Sequence, residues 1–515
     1  MAKNTAYDII FILFISIICH LLFSKFGFNP TDEGFVLSAS NRLMHGQIPH
    51  VDFSSVRPLG YAYLHIPELL FSKTHVFLMS RFIFWLEQVL IAYFWISIII
   101  SYSKTEVTLF LKYTLIIICF LFNVHYFPAS VLHTIDGLLL SVLGIYFIIS
   151  EKKWIYIGYF FIGYAAICKQ NYLIILPMTI YLFGRENMIR NLLIGILPII
   201  IYVGYIHLNN GWHDLSIQLS GHNEIVNVGI HSYLSNPLMY IGFISVFVYY
   251  KMKINRIYLS ILIFSVASIL LISNHYHGKF IFLFLGLIAG ETTHKIVKQE
   301  NCILPFIALI IAWSVSISVG YNSPALFAGG MISILIFVHF NSLKNRIQNM
   351  ILLLFLLVGI SIFYFVRTNN IYRDMPKKYL HYKLDNLVEG AHGIYTNKNT
   401  YSVLLELDSL KKTTQNLVTV PDFTACNILH SHQSKILTEW PNKTEIPNEK
   451  ILGKVTSKIK NDTALLFAIP IFQTALLKDG FLPQENEGLS YPIIKFIKEN
   501  YRKTSFTDYF EIRKK

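Results

Sequence analysis

The chain has 515 residues, 54% of them hydrophobic and 14% charged, with a formal net charge of +13. A water-soluble globular protein carries roughly 25% charged residues, so the composition excludes that class and points to a polytopic membrane protein. The excess positive charge does not mark a nucleic-acid binder, because Lys and Arg are spread over short loops between apolar runs instead of forming one stripe.

In chain order, "MAKNTAYDIIFILFISIICHLLFSKF" has a basic start and an apolar core long enough to span a bilayer. It lacks a small-x-small cleavage site, so it reads as a retained helix. A polar loop, 26–75, follows. Within it Pro30-Thr31-Asp32-Glu33 opens a stretch with apolar residues at Phe35, Val36, Ala39, Leu43 and Met44 that stops at Gly46. This pattern predicts an amphipathic helix on the membrane surface. Thr31 would be its N-cap and Asp32 and Glu33 its first turn, where the helix dipole favours a carboxylate by about 0.3–1 kcal/mol. Capping explains the acidic pair without a function, yet a carboxylate kept ionised at a helix start is also suited to accept a proton. The same loop carries Arg42, His45, Asp52 and Arg57, and Arg81 stands just inside the next span.

Apolar runs recur near 76–101, 107–124, 131–150, 154–168, 171–184, 191–208, 236–250, 257–273, 280–293, 302–320, 325–340 and 349–366. With 8–25 they make about thirteen predicted spans, of which 154–168 and 171–184 are short enough to form a re-entrant hairpin. Alternate connections hold Lys104, Lys152, Lys153, Arg185, Arg190, Lys251, Lys295 and Lys298, whereas 209–235 has neither Lys nor Arg. The positive-inside bias therefore puts the N-terminus in the cytoplasm. It gathers the 26–75 loop, the 125–136 turn, Lys169–Asn171, 209–235, "SNHYHGK" (273–279), "GYNSPALFAGG" (320–330) and the tail on the outer face.

The tail from Arg367 loses the membrane pattern. "GIYTN", "NLVTVPD" and "TALLFAIP" read as short strands, and "NTYSVLLELDSLKK" and "YPIIKFIKENYRK" as helices. The expected fold is a polytopic α-helical membrane domain over 1–366 with a C-terminal extracytoplasmic α/β domain over 367–515.

Several residues stand out by their chemistry. Asp136 lies about one turn inside its span with His133 one turn earlier on the same face. An ionisable group there costs roughly 2.5–3.5 kcal/mol and flags function, the bland alternative being a partner for Arg81 or Lys169. Lys169 ends a short span, where a snorkelling lysine is common. Arg57 and Arg81 have the planar guanidinium that suits phosphate oxygens, though Arg57 fits a loop salt bridge equally well. His275 and His277 lack a third metal ligand and read as interfacial anchors. Trp212, His213 and Asp214 read as surface loop, Gly329-Gly330 as a tight turn, and Asn442-Lys443-Thr444 as a chance sequon. The five cysteines show neither metal-ligand spacing nor a disulfide framework.

Taken together, the early "DEG", a short helix ending in Gly, "IPHVDF", "RPLGYAYLHIP" and a span opening with "SRF" resemble the first extracytoplasmic loop of GT-C glycosyltransferases. The likeness is to the branch holding protein O-mannosyltransferases and the aminoarabinose transferases of lipid A. It covers roughly residues 8–185 by motif and extends to 366 by span count. The resemblance implies an enzyme that moves a sugar from a polyprenyl-phosphate carrier, with inversion, to an acceptor hydroxyl of a glycan, lipid or protein on the outer face. It implies Asp32 as the catalytic carboxylate and Glu33 as its support, holding the acceptor or a divalent cation. Asp136, beside His133, would be the second acid, and Lys169, in "KQ", would lie near the donor phosphate with Arg81 and Arg57. The adjacent acids, in place of DxD, argue against a pyrophosphate-linked donor and an obligatory metal, and no metal ligands are assigned. Oxocarbenium-like transfer needs such a base opposite the leaving group and cations on the departing phosphate. Lack of secretory signals and of tail disulfides indicates a bacterial inner membrane. The competing readings are a flippase-type carrier and an outer-face polymerase, of which the polymerase shares the topology. No half-repeat supports the first, and the second lacks arginines in 209–235.

Overall fold

The computed structural model describes residues 2–104, 107–124, 128–220, 225–252, 262–269, 281–316, 324–340, 346–414, 416–420, 423–460, 462–481 and 491–515. His275, His277, most of the 257–273 span and the start of "GYNSPALFAGG" lie outside these residues. The described chain is mostly helical, and five of its helices are long and apolar enough to cross a membrane: Ala6–Phe23, Val76–Ser103, His133–Ser150, Arg185–Leu208 and Asn349–Asn369. Shorter apolar helices include Leu109–Asn123, Gln170–Phe183, Pro237–Met252, Ile303–Ser316 and Ala325–Phe337.

Burial sorts these helices into inner and outer ones. Within their apolar windows, two-thirds (67%) of Val76–Ser103 and of His133–Ser150 is buried, against 28% for Ala6–Phe23 and Arg185–Leu208. The outer pair exposes Ile9, Ile10, Phe14, Leu21, Ile189, Leu193, Ile200 and Ile201, side chains that need an apolar surrounding. The inner helix Val76–Ser103 instead ties its buried indoles to neighbours. Trp85 donates to Ser24 Oγ at 2.9 Å and Trp95 to the Gly330 carbonyl at 3.0 Å.

Helix Ile155–Cys168 packs against both His133–Ser150 and Met188–Leu208. The second contact depends on two glycines: a Cβ on Gly163 would lie 1.7 Å from the Gly195 carbonyl oxygen. Small residues allow such close backbone approach between membrane helices. We expect Gly163→Ala to separate the pair and to cost about 1–3 kcal/mol or more, read as a lowered thermal unfolding midpoint in detergent. An unchanged midpoint would mean that these helices do not cross this closely. Gly329 and Gly330, expected as a tight turn, lie instead in helix Ala328–Phe340. A Cβ on Gly329 would fall 1.9 Å from the Cys119 carbonyl, so packing and not turning accounts for this glycine.

The 26–75 loop differs from expectation at its helix. The helix runs over Phe35–Met44, starts from Gly34 and receives no side-chain cap. It does not lie on a surface either, because Phe35 through Arg42 are all buried. The segment Thr424–Gln433 packs across it, with the short helices Gly60–Leu64 and Ile66–Phe71 also against it. The 209–235 stretch, read as surface loop, contains helices Trp212–Leu219 and Ile225–Leu234.

In the tail, β1 (Tyr382–Lys383) pairs antiparallel with β2 (Tyr395–Thr396). A second sheet runs in the order β3 (Leu417–Thr419), β4 (Leu466–Pro470), β6 (Phe510–Lys514), β5 (Arg502–Phe506). The β3–β4 pair is parallel and the other pairs are antiparallel. Helices Lys398–Thr413 and Pro492–Asn500 present their apolar faces to this region, burying Val403, Leu404 and Leu407 in one and Ile493, Ile494 and Ile497 in the other. Tail and loop share a core: Phe28, Leu37, Leu69, Val76 and Phe77 cluster with Leu404, Phe423, Ile428, Ala468 and Phe510.

Candidate functional site

The turn before Gly34 is shaped by Asn29. Its side-chain oxygen accepts from the Thr31 amide at 2.9 Å, the Thr31 hydroxyl at 2.6 Å and the Asp32 amide at 3.2 Å. An Asn side chain folding onto the residues after it stabilises such a turn in place of a helical one. The two acids therefore leave the turn in different directions and never cap the helix.

Glu33 points inward. Its Oε1 receives Arg81 Nε at 2.5 Å, and its Oε2 accepts from the Asn29 amide at 3.4 Å. Arg81 is fully engaged, donating also to the Ser24 carbonyl and, at 2.7 Å, to the Gly27 carbonyl. The pair thus joins the Val76–Ser103 helix to the chain that leaves the first helix. Asp32 points the other way: its Oδ2 accepts from Tyr372 at 2.7 Å and forms an ion pair with Arg373 Nη1 at 2.9 Å, and its side chain keeps 19% exposure. Its Oδ1 has a 3.3 Å contact with the Thr31 hydroxyl, whose single proton is better placed on Asn29. That leaves Oδ1 able to accept another proton.

Tyr372 and Arg373 are delivered by the chain just after the last long helix. That chain is fixed by Asp374, whose oxygens accept from the Phe28 and Met375 amides, Thr396 and Asn397 at 2.6–3.0 Å. Burial pushes the Asp374 carboxyl up despite these bonds. Asp32, Glu33, Arg81, Arg367 and Tyr372 line one cleft of about 50 Å³. A larger groove of about 310 Å³ lies against the tail near Asn427, His430 and Lys435, and none of the residues singled out for catalysis lines it.

A second polar group is linked to the Asp32 turn through Trp440. Trp440 donates to the Thr31 carbonyl at 3.0 Å and packs its ring, tilted by 34°, against Phe35 at 4.1 Å, and the Arg57 guanidinium lies 5.7 Å from the Trp440 ring. Arg57 forms a buried ion pair with Glu445 of the tail. His133 sits beside Phe35 and Tyr61, close enough to Arg57 and Lys169 to feel both charges. Lys169 is buried, with its amine 3.3 Å from the Thr134 hydroxyl. Burial, then the Arg57 charge, lowers this amine to about 7. Both His133 nitrogens, the Tyr61 hydroxyl and Gln170 Oε1 are buried without hydrogen-bond partners. Native proteins leave few such groups unpaired, so these atoms are free to bond a polar partner.

Asp136 does not join His133. Nor does it pair with Arg81 or Lys169, the structural partners that the sequence suggested. Its Oδ1 lies 3.0 Å from His65 Nε2, and His65 Nδ1 lies 2.6 Å from Glu68. The sequence thus brings together Arg57, His133 and Lys169, and separately Asp32, Glu33 and Arg81, while Asp136 belongs to a third group. Tyr372, Arg373, Trp440 and Glu445 escaped sequence reasoning because their roles depend on distant chain. Glu87, in "FWLEQVL", carried a visible signal, an acid in the middle of an apolar span.

The fold and these groups stand without relatives to name: no protein-family model, curated protein or solved structure matches the chain.

Proposed function

We propose that the protein is a membrane glycosyltransferase of GT-C type, moving a sugar from a polyprenyl-phosphate carrier to an acceptor hydroxyl. The observation that carries this reading is a partly exposed carboxylate, Asp32, on a turn that Trp440 connects to a buried set of cations and unpartnered donors formed by Arg57, Lys169, His133 and Tyr61. The carboxylate accepts the hydroxyl proton through Oδ1, and the cationic set takes the leaving phosphate. About thirteen spans, a cytoplasmic N-terminus and a bacterial inner membrane complete the reading, with the tail as an outer α/β domain covering the loop. At about 50 Å³ the Asp32 cleft holds water, not a sugar ring, so the donor displaces part of its rim. Glu33, paired with Arg81, supports the site by position and not by holding a metal.

Transfer of labelled sugar from a panel of polyprenyl-phosphate donors, in membranes containing the wild type or Asp32→Asn, tests the proposal. Transfer by the wild type alone supports it, and equal transfer by both removes Asp32 from the chemistry. The pH profile adds a check on the phosphate side. With the Lys169 amine lowered to about 7, its charged fraction falls as pH rises through that value. We therefore expect kcat/KM for the donor to fall above about pH 7, and Lys169→Arg to remove that limb because guanidinium stays charged. A profile flat to pH 9 in the wild type would show that Lys169 does not bind the phosphate.

One observation favours a carrier instead. The enclosed His65, Glu68, Glu87 and Asp136 group lies among apolar helices, where transporters place ion-coupling residues. Movement of lipid-linked sugar across reconstituted vesicles, without its transfer, would select that reading.

A further inference from the structure

Glu87 and His65 have no part in the transfer chemistry, yet both are buried ionisable groups. His65 sits at the break between helices Gly60–Leu64 and Ile66–Phe71, Glu87 within Val76–Ser103, and Asp136 in the first turn of His133–Ser150. One ligand atom from each of the three lies within 4.8 Å of the other two. Asp136 Oδ2 and Glu87 Oε2 are buried and have no hydrogen-bond partner. With Glu68 added, three carboxyl groups surround one imidazole, and no lysine or arginine pairs with any of them among the described residues. An enclosed carboxylate left without a counter-charge is costly, and the group must be neutralised by protons or by a cation.

We propose that His65, Glu87 and Asp136 bind one divalent transition-metal ion, zinc by their ligand chemistry. One imidazole and two carboxylates suit zinc, whose bonds to nitrogen and oxygen are about 2.0–2.2 Å, and they leave a fourth position open. Ligand atoms already clustered within 4.8 Å reach such a centre by side-chain rotation. The 2.6 Å contact from Glu68 to His65 Nδ1 leaves Nε2 facing Asp136. A carboxylate on the far nitrogen of a ligating histidine fixes its ring orientation and raises its basicity. Glu68 is thus a positioning residue. The dication also supplies positive charge to a group in which three carboxyl groups share one imidazole. This site is separate from Asp32 and does not depend on the transferase reading.

The test uses the full-length protein, purified in detergent through a tag without histidines and without chelators. Elemental analysis is expected to find close to one zinc per chain. X-ray absorption should show a nitrogen and oxygen shell at about 2.0–2.2 Å that includes imidazole. Glu87→Gln and Asp136→Asn, nearly isosteric, should each lower zinc retention at least about tenfold, and Glu68→Gln should weaken affinity by about 10–100-fold. Wild-type protein that stays nearly metal-free after equilibration with zinc and washing would overturn the proposal and assign neutralisation to protons. So would bound zinc with no imidazole in its shell, a result that needs no variant to fold. Zinc retained equally by the wild type and a well-folded Glu87→Gln protein would overturn it as well.

Discussion

Asp32→Asn is expected to lower kcat for sugar transfer by about 10²–10⁴-fold while leaving the donor KM nearly unchanged. The amide keeps the size of the carboxylate and can still accept from Tyr372, and Asn29 still holds the Thr31 and Asp32 amides, so the turn survives. What disappears is a basic oxygen. Oδ1 is the atom that matters, because Oδ2 already accepts from Tyr372 and pairs with Arg373, and the one hydroxyl near Oδ1 is committed to Asn29. Asparagine offers there either a carbonyl that cannot carry away a proton or an N–H that repels the incoming hydroxyl hydrogen. Stability should change little, since the Asp32–Arg373 pair is partly exposed, at 19% and 34%, and such pairs are worth about 0–1 kcal/mol. A purified Asp32→Asn protein with kcat within tenfold of wild type would sink the assignment of Asp32 as base.

Where local pattern determines structure, the sequence was legible. Apolar runs marked the helices Val76–Ser103 and His133–Ser150, and period-3.6 spacing in "NTYSVLLELDSLKK" marked Lys398–Thr413. Strands β2, β3 and β4 fall inside the β-branched stretches read for them. The final hairpin of β5 and β6 was hidden because "YRKTSFTDYFEIRKK" is charged and β5 is wholly exposed, an edge strand protected by lysine and arginine. The loop helix was misplaced for a different reason. Thr31 has the right chemistry for an N-cap, but its hydroxyl donates to Asn29, whose oxygen also holds the Thr31 and Asp32 amides in a turn, and the helix waits until Phe35. Its burial was invisible because what covers it lies far along the chain. Arg42 meets Glu439 and Arg57 meets Glu445, pairs about 390 residues apart that no local pattern encodes. The same distance concealed that Tyr372 and Arg373 complete the surroundings of Asp32.

Adjacent acids with opposite surroundings predict opposite phenotypes, and Glu33→Gln supplies the second large effect. Glu33 and Arg81 are both buried, with side chains 7% and 5% exposed. Removing one charge of such a pair leaves the other enclosed without compensation, which typically costs about 3–5 kcal/mol. Arg81 cannot rotate to solvent cheaply, since its remaining nitrogens hold the Ser24 and Gly27 carbonyls. The expected result for Glu33→Gln is a protein that unfolds at markedly lower temperature in detergent and accumulates poorly. The fraction that folds should retain kcat to within about tenfold, because the base at Asp32 is intact. Replacing both partners, as in Glu33→Met with Arg81→Met, should recover much of the lost stability, as apolar substitutes for buried ion pairs often do. Asp32→Asn reverses the pattern, stable and inactive. A Glu33→Gln protein as stable as wild type but without transfer would reverse these roles, moving the catalytic carboxylate from Asp32 to Glu33.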